Sequence, residues 1–316
     1  MVDVRTMLDP ELRAVMDAFE LPALDGEALS TMRSFSFPPP DLSGAVQRTE
    51  RTAPGDPPVP VRVHRPVDGQ AVGATGRLPA VVSIHGGGYV LGSYDMDDAR
   101  FDRWCPQLGL VGVSVEYRLA PETPYPGPLD DCYAALRWTY DNADELGIDR
   151  DRIGIAGVSA GGGLTAALAL LARDRGEVPV AFQILDSPML DDRQVTPSSQ
   201  LDALYVWSRE ANTFGWRSYL GDLYGSADVP AYAAPARATD LSGLPPTIVC
   251  VGAIDGFRDE DVDYATRLNQ AGVPCELHVY AGLPHGHQLV TDATAVRLCA
   301  TDIEDWLGRQ LASTAA

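Results

Sequence analysis

Cysteine and histidine are scarce in this chain, five of each among 316 residues. The cysteines are Cys105, Cys132, Cys250, Cys275 and Cys299. Their number is odd, they are scattered, and no two have C-x-x-C spacing. That pattern argues against a disulfide framework and against a zinc site, and it fits reduced, mostly buried thiols. Basic residues are also few: 24 Lys and Arg face 44 Asp and Glu, for a formal net charge of -20. So acidic a surface repels phosphate backbones and anionic lipid, so neither nucleic acid nor a membrane surface is an expected partner. No apolar run approaches a membrane span. The N-terminal stretch MVDVRTMLDPELRAVMDAF carries acids in an amphipathic helical pattern and lacks the apolar segment of a signal peptide. The expectation is a soluble, cytoplasmic protein.

What the chain does have is an alternation. Hydrophobic residues make up 45% of it, enough for one large core with room for an insertion. β-patterned segments lie at 46–50 and 59–65. Apolar strand-like runs follow at 79–85, 111–117, 152–157, 180–186, 246–252 and 275–280, with helical patterns between most of them. Short apolar strands alternating with helices predict an α/β fold, its sheet mostly parallel and covered by helices on both faces. The helix after Ser159 is apolar nearly all round from Leu164 to Ala172, so it should be buried and stop at Gly176. In RDEDVDYATRLNQAG, Val262, Ala265 and Leu268 share one face, acids fill the first turn, and Gly272 closes the helix. Two stretches do not fit the alternation. Residues 1–45 read as short helices and a Pro-rich connection, and 191–241 are too long for a simple crossover. The expected organisation is therefore N-terminal cap helices (1–45), a first core part (46–190), an inserted cap (191–241) and a second core part (242–316).

The chemistry-bearing motifs sit at strand ends. G-x-S-x-G around Ser159 arises by chance about 0.1–0.2 times in a chain this rich in glycine, so alone it is weak. Here it follows a strand and opens a helix, the context of a nucleophile elbow. HGGG at His85–Gly88 has a chance expectation on the order of 0.005. It follows another strand, and its glycines leave backbone N–H groups free to face a developing oxyanion. A serine nucleophile needs a base. His64 and His278 lie in strand patterns and His85 belongs to the glycine loop, which leaves His285 and His287 in the loop after the last strand. The base needs an orienting carboxylate. Asp255 fits the chain order Ser, Asp, His, with Asp186 and Asp259 as alternatives.

Together, HGGGYVLGS, VEYRLAPETPYPGPLDDCYAALRW, ELGIDRDRIGIAGVSAGGG, MLDDR, YAAPARATDLSGLPPTIV, RDEDVDYATRLNQAGV and HGH resemble the hormone-sensitive-lipase-like bacterial esterases of the α/β-hydrolase fold, over nearly the whole chain. The resemblance implies an eight-stranded sheet with a helical cap. It implies Ser159 as nucleophile, His285 as base, Asp255 as acid, and an oxyanion hole from the N–H groups of Gly87, Gly88 and Ala160. It also implies Arg118 and Glu122 as ion-paired scaffold. Three positions depart from the family pattern: Val158 stands for an Asp beside the serine, Gly256 for a Pro after the acid, and His287 for a Phe after the base. The function expected is hydrolysis of short- to medium-acyl esters through an acyl-enzyme, with no metal or organic cofactor and a small-molecule ester as partner. A homodimer is implied by family likeness only. The rival is a non-catalytic small-molecule-binding protein on the same fold, as in receptor relatives that have lost the histidine; this chain keeps one there. Among the cap aromatics (Phe35, Phe37, Tyr205, Trp207, Phe214, Trp216, Tyr219, Tyr224), most should simply pack. Tyr89, Trp207 and Phe214 are the residues expected to contact substrate.

Overall fold

The computed structural model describes residues 4–18, 24–34, 40–67, 76–202 and 204–313. Phe35 and Phe37, named above for the cap, lie outside the described residues. Among the described residues, one sheet of eight strands organises the fold: β1 (Val46–Ala53), β2 (Val59–Pro66), β3 (Leu78–Ile84), β4 (Val111–Val115), β5 (Ile148–Val158), β6 (Gln183–Asp186), β7 (Thr247–Gly252) and β8 (Cys275–Tyr280). Their spatial order is β1-β2-β4-β3-β5-β6-β7-β8. The β1–β2 and β2–β4 pairings are antiparallel and all the others parallel. The strand expected over 180–186 is regular only from Gln183, although Ala181 and Phe182 already exchange backbone hydrogen bonds with Ile153 and Ile155 of β5. β5 runs back beyond the expected 152 to Ile148, through a register irregularity opposite β3.

The sheet is buried on both faces because its strand residues alternate between two apolar clusters. Ala80, Val82 and Ile84 of β3 join one cluster, and Val81 joins the other. Helices α4 (Gly127–Asp141), the short α5 (Ala143–Leu146), α6 (Ala160–Arg175) and α8 (Arg258–Gln270) supply residues to the first cluster; α3 (Asp98–Leu108) and α9 (Thr294–Ser313) supply the second. Residues Ala160–Ala172 of α6 are all buried, and Gly176 ends the helix in the left-handed conformation at φ 63°. The inward face of α8 differs from the expected one. Val262 is only half-buried, and Glu260 and Asp261 go inside with Tyr264, Ala265 and Leu268.

Before β1 lie short helices, α1 (Pro10–Met16) and α2 (Gly26–Ser34). Between β6 and β7 the chain is mostly loop around α7 (Arg209–Leu220). The two segments meet where Tyr205 Oη donates to Asp17 Oδ1 at 3.0 Å. The EYRLAPE block is ion-paired, with each residue finding its own partner: Arg118 pairs with Asp131 and Glu122 with Arg33, both at 2.8 Å. Arg33 also donates to the carbonyls of Val90 and Ala120, so α2 is fastened to the loop after β3.

Candidate active site

Parallel strands end at one edge of the sheet, and the chemistry gathers there. Ser159 follows β5 at φ 57° and ψ -122°, a strained backbone for a side-chain-bearing residue. Neighbours hold it there. Its N–H donates to the Asp186 carbonyl at 2.9 Å, and its own carbonyl accepts from the N–H groups of Gly163 and Met189 at 3.0 and 2.9 Å. These are backbone bonds, so Val158 in place of the family's Asp leaves the turn supported. The small residues are needed for close approach: a Cβ on Gly157 would lie 2.2 Å from the Gly161 carbonyl oxygen, and one on Gly161 2.0 Å from that of Ile84.

The loop after β8 brings His285 to this serine. His285 Nε2 lies 3.0 Å from Ser159 Oγ, and His285 Nδ1 lies 2.8 Å from Asp255 Oδ2. With Nδ1–H donating to the carboxylate, Nε2 is left to accept the serine hydroxyl proton. Asp255 follows β7, and its Oδ1 accepts the Phe257 N–H at 2.9 Å. Gly256 does not leave this loop loose. Ser198 Oγ donates to the Gly256 carbonyl at 2.9 Å and Arg258 Nη1 to the Ala253 carbonyl at 2.8 Å. All three side chains are buried, His285 the most open at 7% exposed.

The alternatives go elsewhere. His287 donates from Nδ1 to the Pro284 carbonyl at 3.1 Å. Burial alone would pull its pKa down, but hydrogen bonding to Cys299 and the charge of Asp186 outweigh that and hold it up at about 8. Asp186 Oδ2 accepts from Gln288, and Asp259 accepts from Ser198 N–H and Arg258. His85 is sealed against Tyr117 with ring centroids 4.2 Å apart, and burial pulls its pKa down to about 4.

Gly87 and Gly88 take φ 117° and 60°, and Ala160 opens α6. No acceptor among the described residues takes the N–H of Gly87, Gly88 or Ala160. The Trp207 ring lies directly on Gly88: a Cβ there would come 2.0 Å from Trp207 Cη2. Asn212 fixes that ring by accepting its Nε1–H at 3.2 Å. A small cavity beside Asp255 is lined by Leu204, Trp207, Ser208, Asn212, Gly256 and Phe257, among others. Tyr89 is sealed, stacked on Tyr219 at 4.1 Å with its hydroxyl donating to the Met189 carbonyl. Phe214 is half-buried against the main apolar cluster.

Sequence reading missed the two buried acids beneath this edge. Glu260 Oε1 accepts the N–H groups of Leu190 and Asp191 at 2.8 and 3.0 Å, pinning the chain where the long insertion begins. Asp261 is fully buried, with neither oxygen paired among the described residues. Burial pushes both carboxyls well above the ordinary range. The signal was present: Phe257, Asp261, Tyr264 and Leu268 have the spacing of one helix face. Acids in a first turn are expected for the helix dipole, and that expectation says nothing of the face on which these two lie.

A serine on a strained strand–helix turn, a histidine and acid from the last two strand ends, and a glycine loop after β3 define a serine hydrolase of the α/β-hydrolase class. The family model for the alpha/beta hydrolase fold matches residues 81–289. The carboxylesterase NlhH of Mycobacterium tuberculosis is 38% identical over 291 residues, covering 90% of this chain and 89% of that protein. An arylesterase of Saccharolobus solfataricus is 35% identical, covering 74% and 76%. Among solved structures, a bacterial heroin esterase superposes with a TM-score of 0.89 at 41% identity, over 98% of this chain and 99% of that one. The chain belongs to the hormone-sensitive-lipase-like bacterial esterases of the α/β-hydrolase fold. Among the described residues, no helix is long and apolar enough to cross a membrane.

Proposed function

We propose that this chain is a serine carboxylesterase for short- to medium-acyl esters, with Ser159 as nucleophile, His285 as base and then acid, and Asp255 as the orienting carboxylate. The observation that carries this reading is the unbroken hydrogen-bond line from Ser159 Oγ through His285 to Asp255, at 3.0 and 2.8 Å. Ser159 Oγ attacks the ester carbonyl while His285 Nε2 takes its proton. The oxyanion is met by the N–H groups of Gly87, Gly88 and Ala160. His285 returns the proton to the leaving alcohol, and Asp255 stabilises the imidazolium throughout. Water, activated by the same histidine, attacks the acyl-serine and frees the acid. These steps use only groups of this chain.

Segments 1–45 and 191–241 act as the cap in this reading. Trp207, lying on Gly88, is the wall that meets the acyl chain. Tyr89 props the glycine loop from below, and Phe214 stands further out. Each added methylene contributes ~0.8 kcal/mol of transfer energy while it fits. A fixed aromatic wall then excludes longer chains. Acetyl to hexanoyl esters are the expected substrates, with a steep fall beyond and no jump in rate at a lipid–water interface. Cytoplasmic residence, supported by the five scattered, reduced-type cysteines, and a homodimer, supported by resemblance alone, complete the proposal; sedimentation tests the second. The function is tested with a p-nitrophenyl ester series and an organophosphorus probe. Turnover of the short esters and labelling of Ser159 are expected. No turnover and no labelling would favour a binding protein on this fold. A peak of kcat/KM at palmitate would make it a lipase.

A further inference from the structure

Two residues past His285, three chain segments far apart in sequence converge. Asp186 ends β6, His287 sits in the loop after β8, and Cys299 lies on α9. One ligand atom from each, a carboxylate oxygen, a ring nitrogen and the thiol sulfur, lie within 4.8 Å of one another. The residues are 5%, 1% and 2% exposed. Asp186 Oδ1 is buried with no hydrogen-bond partner among the described residues. A carboxylate oxygen left that way is costly unless something cationic faces it.

The surrounding bonds orient all three groups. His287 donates its Nδ1–H to the Pro284 carbonyl at 3.1 Å, so Nε2 is the ring nitrogen left for a metal ion once its own proton departs. Metal-bound histidines are commonly oriented by such a bond from the other ring nitrogen. Gln288 Nε2 holds Asp186 Oδ2 at 3.0 Å, so Oδ1 remains available. Cys250 is the register partner of Asp186 on β7 and adjoins Cys299; its Sγ lies 3.9 Å from Tyr280 Oη. It is a second soft donor beside the first.

We propose that Asp186, His287 and Cys299 form a buried site for a divalent transition ion of the zinc class, with Cys250 beside the fourth coordination position. Mixed oxygen, nitrogen and sulfur donors suit zinc or cobalt, and they disfavour magnesium and calcium, which take oxygen ligands. Tetrahedral bonds of about 2.0–2.3 Å put ligand atoms roughly 3.3–3.8 Å apart, so the three atoms need to close in by up to about 1.5 Å. Binding releases the protons held by Cys299 and by His287 Nε2, because the ligands are the thiolate and the neutral imidazole. The ion would clamp the end of β6 and α9 to the loop that carries His285. It has no part in the ester chemistry. Local cysteine spacing gives no sign of such a site, because its ligands come from three separate elements.

The site is closed to solvent, so the metal must enter as the chain folds. The full chain is therefore expressed in minimal medium supplemented with cobalt and purified. One cobalt per chain is expected, with a thiolate-to-cobalt charge-transfer band and the visible bands of a tetrahedral site. Cys299→Ala and His287→Phe should each retain at least about tenfold less cobalt. Far-UV circular dichroism and a cooperative urea melt show that each variant has folded. His287→Phe introduces the residue usual in the family pattern, so it gives a folded comparison if Cys299→Ala is unstable. Purified wild type without stoichiometric cobalt would overturn the proposal. So would cobalt retained equally in folded variants, or a Cys250–Cys299 disulfide found by mass spectrometry of the intact protein. None of these outcomes bears on esterase activity.

Discussion

Replacing Asp255 by Asn tests the proposed triad with a change of a single atom. The Phe257 N–H points at Oδ1 from 2.9 Å. An amide NH2 group cannot accept that bond, so in Asp255→Asn the amide oxygen stays with Phe257. The NH2 then faces His285 Nδ1 across the 2.8 Å contact. Two N–H groups cannot share one contact, so the imidazole shifts its proton to Nε2. That nitrogen lies 3.0 Å from Ser159 Oγ and, once protonated, donates where it must accept. A base held in the wrong tautomer costs about 10⁴-fold in kcat, or about 5.5 kcal/mol of barrier. KM should move only a few-fold, because the pocket is untouched. The control is Asp186→Asn. Its side chain bonds Gln288, and the carbonyl that holds the Ser159 N–H belongs to the backbone. It should keep activity within about tenfold of wild type, since a change that spares the reacting groups spares kcat. Initial rates on p-nitrophenyl butyrate, normalised by active-site titration, decide the matter. If Asp255→Asn stays within tenfold of wild type, or Asp186→Asn loses more, the tautomer argument fails.

Other perturbations probe separate parts of the molecule. Ser159→Ala should lose on the order of 10⁶-fold in kcat if the three residues act as a unit; a mutant keeping a tenth of the activity would remove the serine from its role. His285→Ala should abolish turnover while His287→Ala alters chiefly stability, since only the former faces Ser159; a fully active His285 variant in a p-nitrophenyl acetate assay would transfer the role. Gly88→Ala should lower kcat by about 10²–10³-fold, because the new Cβ meets Trp207 at 2.0 Å and the φ of 60° disfavours it; wild-type kinetics would show that this N–H does no catalytic service. His64 supplies a pH dependence of stability. Burial, then the Arg48 and Arg62 charges, pull its pKa down to about 3, while Asp98, 3.8 Å away, is already paired with both arginines. The unfolded chain protonates this histidine near 6.5 and the folded chain does not, so stability is full above 6.5 and lost as pH falls from there toward 3. Between pH 7 and pH 5 the loss is about 2 kcal/mol. Urea melts of wild type and His64→Asn should differ in pH dependence by that amount, and parallel curves would refute it.

The structure brings together groups that the chain order alone had left in competition. His285 and His287 are two residues apart, and nothing local tells them apart. Their difference arises because the turn at Gly286 sends one ring to Ser159 and the other toward Asp186 and Cys299. Asp255, Asp186 and Asp259 all sit at strand or helix ends, and only the course of the β7–α8 loop aims one of them at His285. Arg118 and Glu122 read as ion-paired and are, but their partners are Asp131 and Arg33, from elements whose docking no local pattern encodes.

By itself the sequence determined what depends on near neighbours. Strand and helix periods follow from residues a few positions apart, so the alternating architecture was legible. So were the strained turn at Ser159, the glycine loop at His85–Gly88 and the stop at Gly176, because each needs small residues at fixed local offsets. Only the tertiary structure decided the sheet order with β4 between β2 and β3, the burial of Glu260 and Asp261, the stacking of Trp207 on Gly88, and the meeting of Asp186, His287 and Cys299. Those are contacts between segments tens to hundreds of residues apart. They are set by how the sheet and its helices pack, and no short stretch of chain carries that information.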